Sequence, residues 1–212
     1  MLTLQQRVRW IGKPLVFVAA LLPFGWLVWL GGSDQLGANP IETITRYTGD
    51  WTLRFLFITL AVTPLRNLSG WNWLMRLRRM LGLYAFFYAV LHFATYLVLD
   101  QFFAWEHIVD DIAERPYITV GFASFVLLIP LAITSTNAMV RRLGGRRWQR
   151  LHRSVYVIAI GVVVHFLWLV KADLREPLIY GAILAVLLGY RLVKRGFKPF
   201  VSRAMSPSHP RN

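Results

Sequence analysis

Long apolar segments alternate with short polar connections along the whole chain. Closed helices are expected in these segments, because lipid offers no partner to an unpaired backbone group, and a crossing takes about 20 predominantly apolar residues. The pattern predicts an all-α bundle of six transmembrane helices, in which the shorter segments extend into their flanks. The six segments are Pro14–Leu30, Trp51–Leu65, Met80–Leu99, Tyr117–Thr134, Val155–Val170 and Leu178–Leu192. Pro23, Pro64 and Pro130 are predicted to mark kinks or span ends.

Composition agrees with a polytopic membrane protein. Hydrophobic residues make up 56% of the 212 residues, and the mean hydropathy is +0.48. No internal repeat or long linker divides the chain, so we predict a single domain over 1–212, with a disordered basic tail from about residue 197. The positively charged amino terminus enters the first apolar segment without an A-x-A-like cleavage site, which favours an uncleaved first span.

The charges predict an orientation rather than a polyanionic partner. The net charge is +14, but most basic residues fall in the amino terminus, the tail and the connections 66–79 and 135–153, none of which holds Asp or Glu. All 10 carboxylates lie in the other three connections. By the positive-inside rule both termini are cytoplasmic and the acidic connections face the periplasm of the bacterial inner membrane. We therefore expect membrane lipid around the chain and no nucleic acid.

Two histidines lie inside apolar segments, where an ionisable side chain is costly and indicates a functional site. His92 follows Met80 by twelve residues and His165 follows His152 by thirteen, so both lie roughly 18–20 Å from the cytoplasmic boundary at the helical rise. Two neutral imidazoles at one depth can ligate a haem iron. The chain has no cysteine, so a metal must be held by histidine, carboxylate or a softer ligand such as Met. The alternative is that each is a packing histidine bonded to a carbonyl.

His152 lies at the cytoplasmic boundary, where a helix N-terminus favours the neutral ring. It is a candidate ligand for a second haem, although Arg78 and Arg79 occupy the corresponding depth of the third segment. On an ideal helix the side chains of His152 and His165 point in directions roughly 140° apart around the helix axis. Either the helix is distorted near Gly161, or the two histidines face different parts of the bundle. An ordinary interfacial histidine is the alternative at position 152.

Several arginines are candidate partners for haem propionates as well as topology anchors, because guanidinium groups pair with carboxylates. Arg54 is predicted near the outer end of the second span. The others are predicted at the cytoplasmic face: Arg78, Arg79, Arg147 and Arg150.

Several motifs resemble the ferric-reductase-like transmembrane superfamily. R-R-M-L-G-L at 78–83 leads to L-H at 91–92, and T-S-T-N-A-M-V-R-R-L-G-G-R-R-W-Q-R-L-H at 134–152 precedes His165. L-G-A-N-P, T-P-L-R at 63–66 and R-P-Y at 115–117 extend the likeness over nearly the whole chain. Within the superfamily the chain is similar to the haem-binding membrane subunits of bacterial methionine sulfoxide reductase systems.

The resemblance implies one or two b-type haems, with metal ligands at His92, His165 and His152, and allows a bound FMN. It also implies an electron-transfer subunit that is not an enzyme by itself. Electrons would come from the quinone pool or a cytoplasmic flavin reductase and go to a periplasmic molybdopterin-containing reductase subunit. The NADPH oxidases of this superfamily carry two histidines on each of two spans, whereas here Arg78 stands near the fourth position.

Two other functions fit the same pattern of residues. A stand-alone transmembrane ferric or quinone reductase would hold the same haem but need no periplasmic subunit. A transporter or assembly factor would use His92 and His165 as a proton relay and bind no haem.

Overall fold

The computed structural model describes residues 3–204, and the side chains of that range apart from 4–5 and 195–204. Helices make up most of the described chain, and it contains no strand. The α-helices are α1 Leu4–Arg7, α2 Lys13–Gly32, α3 Pro40–Ser69, α4 Arg78–Ala94, α5 Trp105–Glu114, α6 Pro116–Ile133, α7 Asn137–Leu143, α8 Gly145–His152, α9 Val155–Leu169 and α10 Arg175–Ala204. π-helical turns span Val8–Gly12 and Thr95–Asp100, and a 3-10 helix spans Asn72–Arg76. Helix α10 continues to Ala204, so the first part of the tail predicted to be disordered, 197–204, is helical, and the rest, 205–212, lies outside the described residues.

Five helical segments within the described range are long and apolar enough to cross a membrane: Val8–Gly32, Arg78–Asp100, Pro116–Ile133, Gly145–Leu169 and Arg175–Lys194. They confirm five of the six predicted apolar helices to within a few residues at most ends. The chain is therefore a multi-pass helical membrane protein.

The other predicted span, Trp51–Leu65, lies inside α3, which is not among the five. The first half of α3 is charged, and Glu42 pairs with Arg46 there at 2.6 Å. Asn39 caps the start of α3, because its side chain accepts a hydrogen bond from the Glu42 N–H. At 1.5 Å per residue the 30 residues extend about 45 Å. Helix α3 is thus long enough to cross a bilayer and to project beyond it.

The bundle is built from two helix pairs. Helix α3 packs most extensively on α4, and α6 packs most extensively on α9, while α10 contacts both α9 and α3. Small residues allow the second pair to approach closely, as in many membrane bundles. A Cβ at Gly161 of α9 would lie 2.5 Å from Ser124 Oγ of α6.

Helix α2 is attached to the core through Tyr88, which is fully buried. The Tyr88 hydroxyl donates to the Ala20 carbonyl at 2.8 Å and accepts the Phe24 N–H at 3.1 Å. The Tyr88 hydroxyl is therefore inserted between the Ala20 carbonyl and the Phe24 N–H, which would otherwise bond to each other in the helix. Pro23 is adjacent. Insertion of a side chain into the hydrogen-bond ladder of a helix is a known cause of bending. Pro23, Pro64 and Pro130 all lie inside helices.

Pro64 leaves the Leu60 carbonyl without its usual partner, because proline has no N–H to donate four residues on. Arg191 of α10 supplies the missing donor to the Leu60 carbonyl, and also donates to the Leu187 carbonyl at 2.8 Å. The Cζ atom of Arg191 lies over the Tyr156 ring, 5.4 Å from the ring centre. Arg191 thus satisfies a proline-freed carbonyl in an apolar environment, where an unpaired group would be costly.

Candidate functional site

His92 of α4 and His165 of α9 meet in the interior of the bundle. Their ring centres are 6.3 Å apart and their planes are inclined by 80°. The two helices belong to different pairs, so the histidines join the α3–α4 half of the bundle to the α6–α9 half. The prediction that these two residues share a layer is confirmed.

Each ring is fixed by a bond from Nδ1 to a carbonyl of the helix it packs against. His92 Nδ1 lies 2.9 Å from the Thr45 carbonyl of α3, and His165 Nδ1 lies 2.7 Å from the Tyr117 carbonyl of α6. Because a carbonyl oxygen only accepts, Nδ1 must carry the hydrogen in both rings. Nε2 therefore keeps a lone pair in both, which is the tautomer that a metal ligand requires.

Two glycines make these bonds possible. Gly49 and Gly121 each lie four residues after the accepting carbonyl, at the position whose side chain would cover that carbonyl. A Cβ at Gly121 would be 2.7 Å from His165 Nδ1, and a Cβ at Gly49 would be 3.1 Å from His92 Cε1. The sequence interpretation missed both residues, although an isolated glycine within a helical apolar pattern indicates close approach.

The pair lies toward the end of the bundle that carries the acidic connections. His165 is four residues before the end of α9, and its anchor Tyr117 is the second residue of α6. On the other side, α4 becomes π-helical three residues after His92, and the Thr95 N–H is shared between the carbonyls of Leu91 and His92. π-Helical turns often occur at functional sites.

The geometry of the pair fits a metal held between the two rings. A ring nitrogen is about 1.2 Å from the centre of an imidazole and about 2.0–2.1 Å from a bound metal, so two rings on opposite sides have centres about 6.4–6.6 Å apart. The observed 6.3 Å is within about 0.1 Å of this separation. A haem needs only two protein ligands, because its porphyrin supplies the other four.

His152 is held differently. Its Nε2 lies 3.0 Å from Thr134 Oγ1, while that hydroxyl donates to the Pro130 carbonyl at 2.6 Å. The hydroxyl has one hydrogen, so Nε2 of His152 is the donor to it. The ring of Trp148 is stacked on His152 with centres 3.9 Å apart. His152 therefore uses Nε2 in a hydrogen bond.

The helix that carries His152 is also separate from the one that carries His165. Helix α8 ends at His152, a turn follows at 153–154, and α9 runs without interruption from Val155 past Gly161. Of the two alternatives from the sequence, a distortion near Gly161 is not found, because α9 is helical on both sides of that residue. Arg153 and Ser154 keep right-handed helical backbone angles, and the hydrogen bonds at the turn span three residues as well as four. The irregularity between the two histidines therefore lies at 153–154.

The predicted arginines are spread over both ends of the bundle. Arg54 pairs with Asp50 at 3.4 Å and lies over the Trp51 ring at 5.0 Å. Arg79 donates to Asn137 Oδ1 at 2.6 Å. Arg78 and Arg79 are close enough to influence His152 electrostatically, and Arg147 and Arg150 are exposed.

The fold and the histidine layer define a membrane protein of one known family. Residues 48–163 match the model of the ferric reductase like transmembrane component, and the chain belongs to that family. The matched region contains His92, His152 and both site glycines, and it ends two residues before His165.

Bacterial relatives are similar in sequence to this protein over most of its length. It is similar to the protein-methionine-sulfoxide reductase heme-binding subunit MsrQ of Herminiimonas arsenicoxydans, with 63% identity over 85% of this chain and 84% of that protein. MsrQ of Azospira oryzae is 57% identical over 86% of this chain and 79% of that protein. MsrQ of Rhodospirillum rubrum is 54% identical over 94% of each chain. The chain is thus a multi-pass protein of the bacterial inner membrane.

Proposed function

We propose that this chain is the cytochrome b subunit of a methionine sulfoxide reductase system. It carries electrons across the inner membrane to a periplasmic, molybdopterin-containing reductase, which repairs oxidised periplasmic proteins. The observation that carries the proposal is the histidine pair, with ring centres 6.3 Å apart and both Nδ1 atoms committed to carbonyls. The names of the MsrQ relatives, which are heme-binding subunits, support it.

In this proposal His92 and His165 would hold one haem b through their free Nε2 atoms. The haem supplies reversible one-electron transfer when it is bound. The protein contributes the orientation of the rings: the carbonyls of Thr45 and Tyr117 hold the two Nδ1–H groups, and this fixes Nε2 as the free nitrogen. A hydrogen bond from Nδ1 also makes the ring a stronger electron donor to the metal, which tunes its potential.

The orientation in the membrane follows from charge. We propose six spans, the five apolar helices and the apolar half of α3, with both termini in the cytoplasm. The histidine pair then lies nearer the periplasmic end, where α9 ends four residues after His165. That position suits delivery of electrons to a periplasmic acceptor. The electron donor would be the quinone pool or a cytoplasmic flavin reductase, and it would bind at another part of the chain.

The remaining cofactor assignments are proposals of smaller scope. A second haem at His152 would require Nε2 to leave Thr134 Oγ1, or Nδ1 to serve as the ligand. Haem propionates are proposed to pair with arginines at the two ends of the bundle: Arg54, Arg78, Arg79, Arg147 and Arg150. A bound FMN would serve as an intermediate carrier between a soluble donor and the haem.

The reduced-minus-oxidised absorption spectrum of the purified protein tests the proposal, with haem counted per chain. We expect a low-spin b-type spectrum that is lost in both His92→Ala and His165→Ala. His107→Ala is the matched control, because His107 is exposed on α5, and its spectrum should equal that of the wild type. A folded wild-type protein without haem would contradict the proposal and favour the transporter. Haem without electron transfer to the periplasmic reductase would favour a stand-alone reductase.

A further inference from the structure

Helix α5 has two apolar faces, and only one of them packs on the bundle. Ile108, which is 5% exposed, and the half-buried Ile112 form the inner face. Trp105 and Val109 form a second stripe, one turn apart, and both are 63% exposed. The fold does not need this second stripe, because Ile108 already attaches the helix.

The turn before α5 adds two more exposed aromatic rings. Phe102 has φ 47° and Phe103 has φ 60°, a left-handed conformation that bulky side chains rarely adopt. The Phe103 N–H donates to the Leu97 carbonyl at 3.0 Å, and Asp111 accepts hydrogen bonds from Gln101 Nε2 and the Tyr96 hydroxyl at 3.2 and 3.1 Å. The strained turn is therefore held in place, and its rings are 74% and 49% exposed. Strain of this kind clusters at sites of binding.

Carboxylates accompany the exposed apolar stripe. Glu106 and Asp110 line one open depression together with Trp105 and Val109. Helix α5 contains no Lys or Arg, whereas helices that lie on membranes carry these residues on their polar face. Lipid would desolvate the two carboxylates, and anionic headgroups would repel them. The chemistry fits a protein that brings basic side chains around an apolar contact.

Short chain segments link this surface to the helices that hold both histidines. Two contacts tie α5 to the start of α6 on either side of Tyr117: Asp111 pairs with Arg115 at 3.1 Å, and Thr119 donates to the Ile112 carbonyl at 2.5 Å. Tyr117 is the residue whose carbonyl holds His165. At the other end, the π-helical turn Thr95–Asp100 leads from the helix of His92 to Phe102.

We propose that this surface, here named the α5 platform, is the docking site for the water-soluble electron acceptor. The platform consists of Phe102, Phe103, Trp105, Glu106, Val109 and Asp110. Its partner is the reductase of the proposed function, on which this inference rests, and the contact face of that reductase carries basic residues around an apolar centre.

Stopped-flow oxidation of the haem tests the docking site. The full-length holoprotein is reduced in detergent and mixed with the methionine sulfoxide reductase subunit of the same bacterium and methionine sulfoxide. The double variant Glu106→Lys/Asp110→Lys and the variant Trp105→Ala should slow oxidation roughly tenfold at low salt, because steering and contact are lost. The charge variant should also have a weaker salt dependence. Asp173→Lys, an exposed carboxylate in another acidic connection, is the matched control and should react like the wild type.

Each outcome decides between distinct alternatives. Platform variants as fast as the wild type would overturn the docking site and leave the proposed function intact. A wild type that reduces no acceptor would overturn both. Quenching of Trp105 fluorescence by brominated lipid, measured as the difference from Trp105→Phe, would show that the platform lies in the membrane and would also overturn the inference. Static spectra of the variants should equal that of the wild type, which separates docking from loss of haem.

Discussion

The histidines at the two ends of the bundle differ in which ring nitrogen makes a hydrogen bond to the protein. At the acidic end, His92 and His165 donate from Nδ1 to carbonyls, which can only accept. At the basic end, His152 donates from Nε2 to a hydroxyl whose hydrogen is already used. The comparison indicates that the neighbouring acceptor decides which ring nitrogen carries the hydrogen. In the proposed function, the two histidines whose Nε2 is left free are the metal ligands.

The largest effect is expected from Gly121→Ala. The new Cβ would lie 2.7 Å from His165 Nδ1, so the ring must leave the Tyr117 carbonyl. Loss of such a supporting bond lowers metal affinity roughly 10- to 100-fold. Haem content per chain, measured after purification, should fall accordingly. Gly25→Ala is the control, because nothing lies within 4 Å of a Cβ there, and equal haem in both variants would contradict this account.

A smaller effect is expected from Gly49→Ala. Its Cβ would lie 3.1 Å from Cε1 and 3.2 Å from Nδ1 of His92, a crowding that a shift of a few tenths of an ångström relieves. The hydrogen bond to Thr45 should weaken without breaking. We expect haem to be retained and its midpoint potential to change, as measured by redox titration. A potential equal to that of the wild type would show that the His92–Thr45 bond does not tune the site.

The smallest effect at the histidine pair is expected from Thr134→Val. The change removes the partner of His152 and should cost about 1 kcal/mol of stability, the usual net value of a hydrogen bond. Haem content and the low-spin spectrum should stay as in the wild type, while thermal unfolding shifts to lower temperature. If the spectrum of the pair changes instead, the two ends of the bundle are not independent.

Much of the fold could be predicted from the sequence. The apolar segments and the fixed rise of a helix placed His92 and His165 in one layer, which the structure confirms. The tautomer of each histidine could not be predicted, because it depends on carbonyls of other helices and on Gly49 and Gly121 opposite the rings. The same holds for the turn after His152, since the sequence pattern runs smoothly from polar to apolar across 152–155.

The α5 platform was also missed by the sequence interpretation. Between the predicted spans, 100–116 form one acidic connection, because charged residues interrupt the apolar pattern. The apolar residues Trp105, Ile108, Val109 and Ile112 do recur at helical spacing, a signal that the sequence interpretation did not use.

Electron paramagnetic resonance of the ferric protein at low temperature tests the central claim most directly. Two imidazole ligands inclined by 80° should give a strongly anisotropic low-spin signal with one large principal g value, because nearly perpendicular rings leave the iron orbitals almost degenerate. The signal should disappear in both His92→Ala and His165→Ala and persist in His152→Ala. A rhombic low-spin signal typical of parallel imidazoles, a high-spin signal in the wild type, or survival of the signal without His92 or His165 would contradict the account.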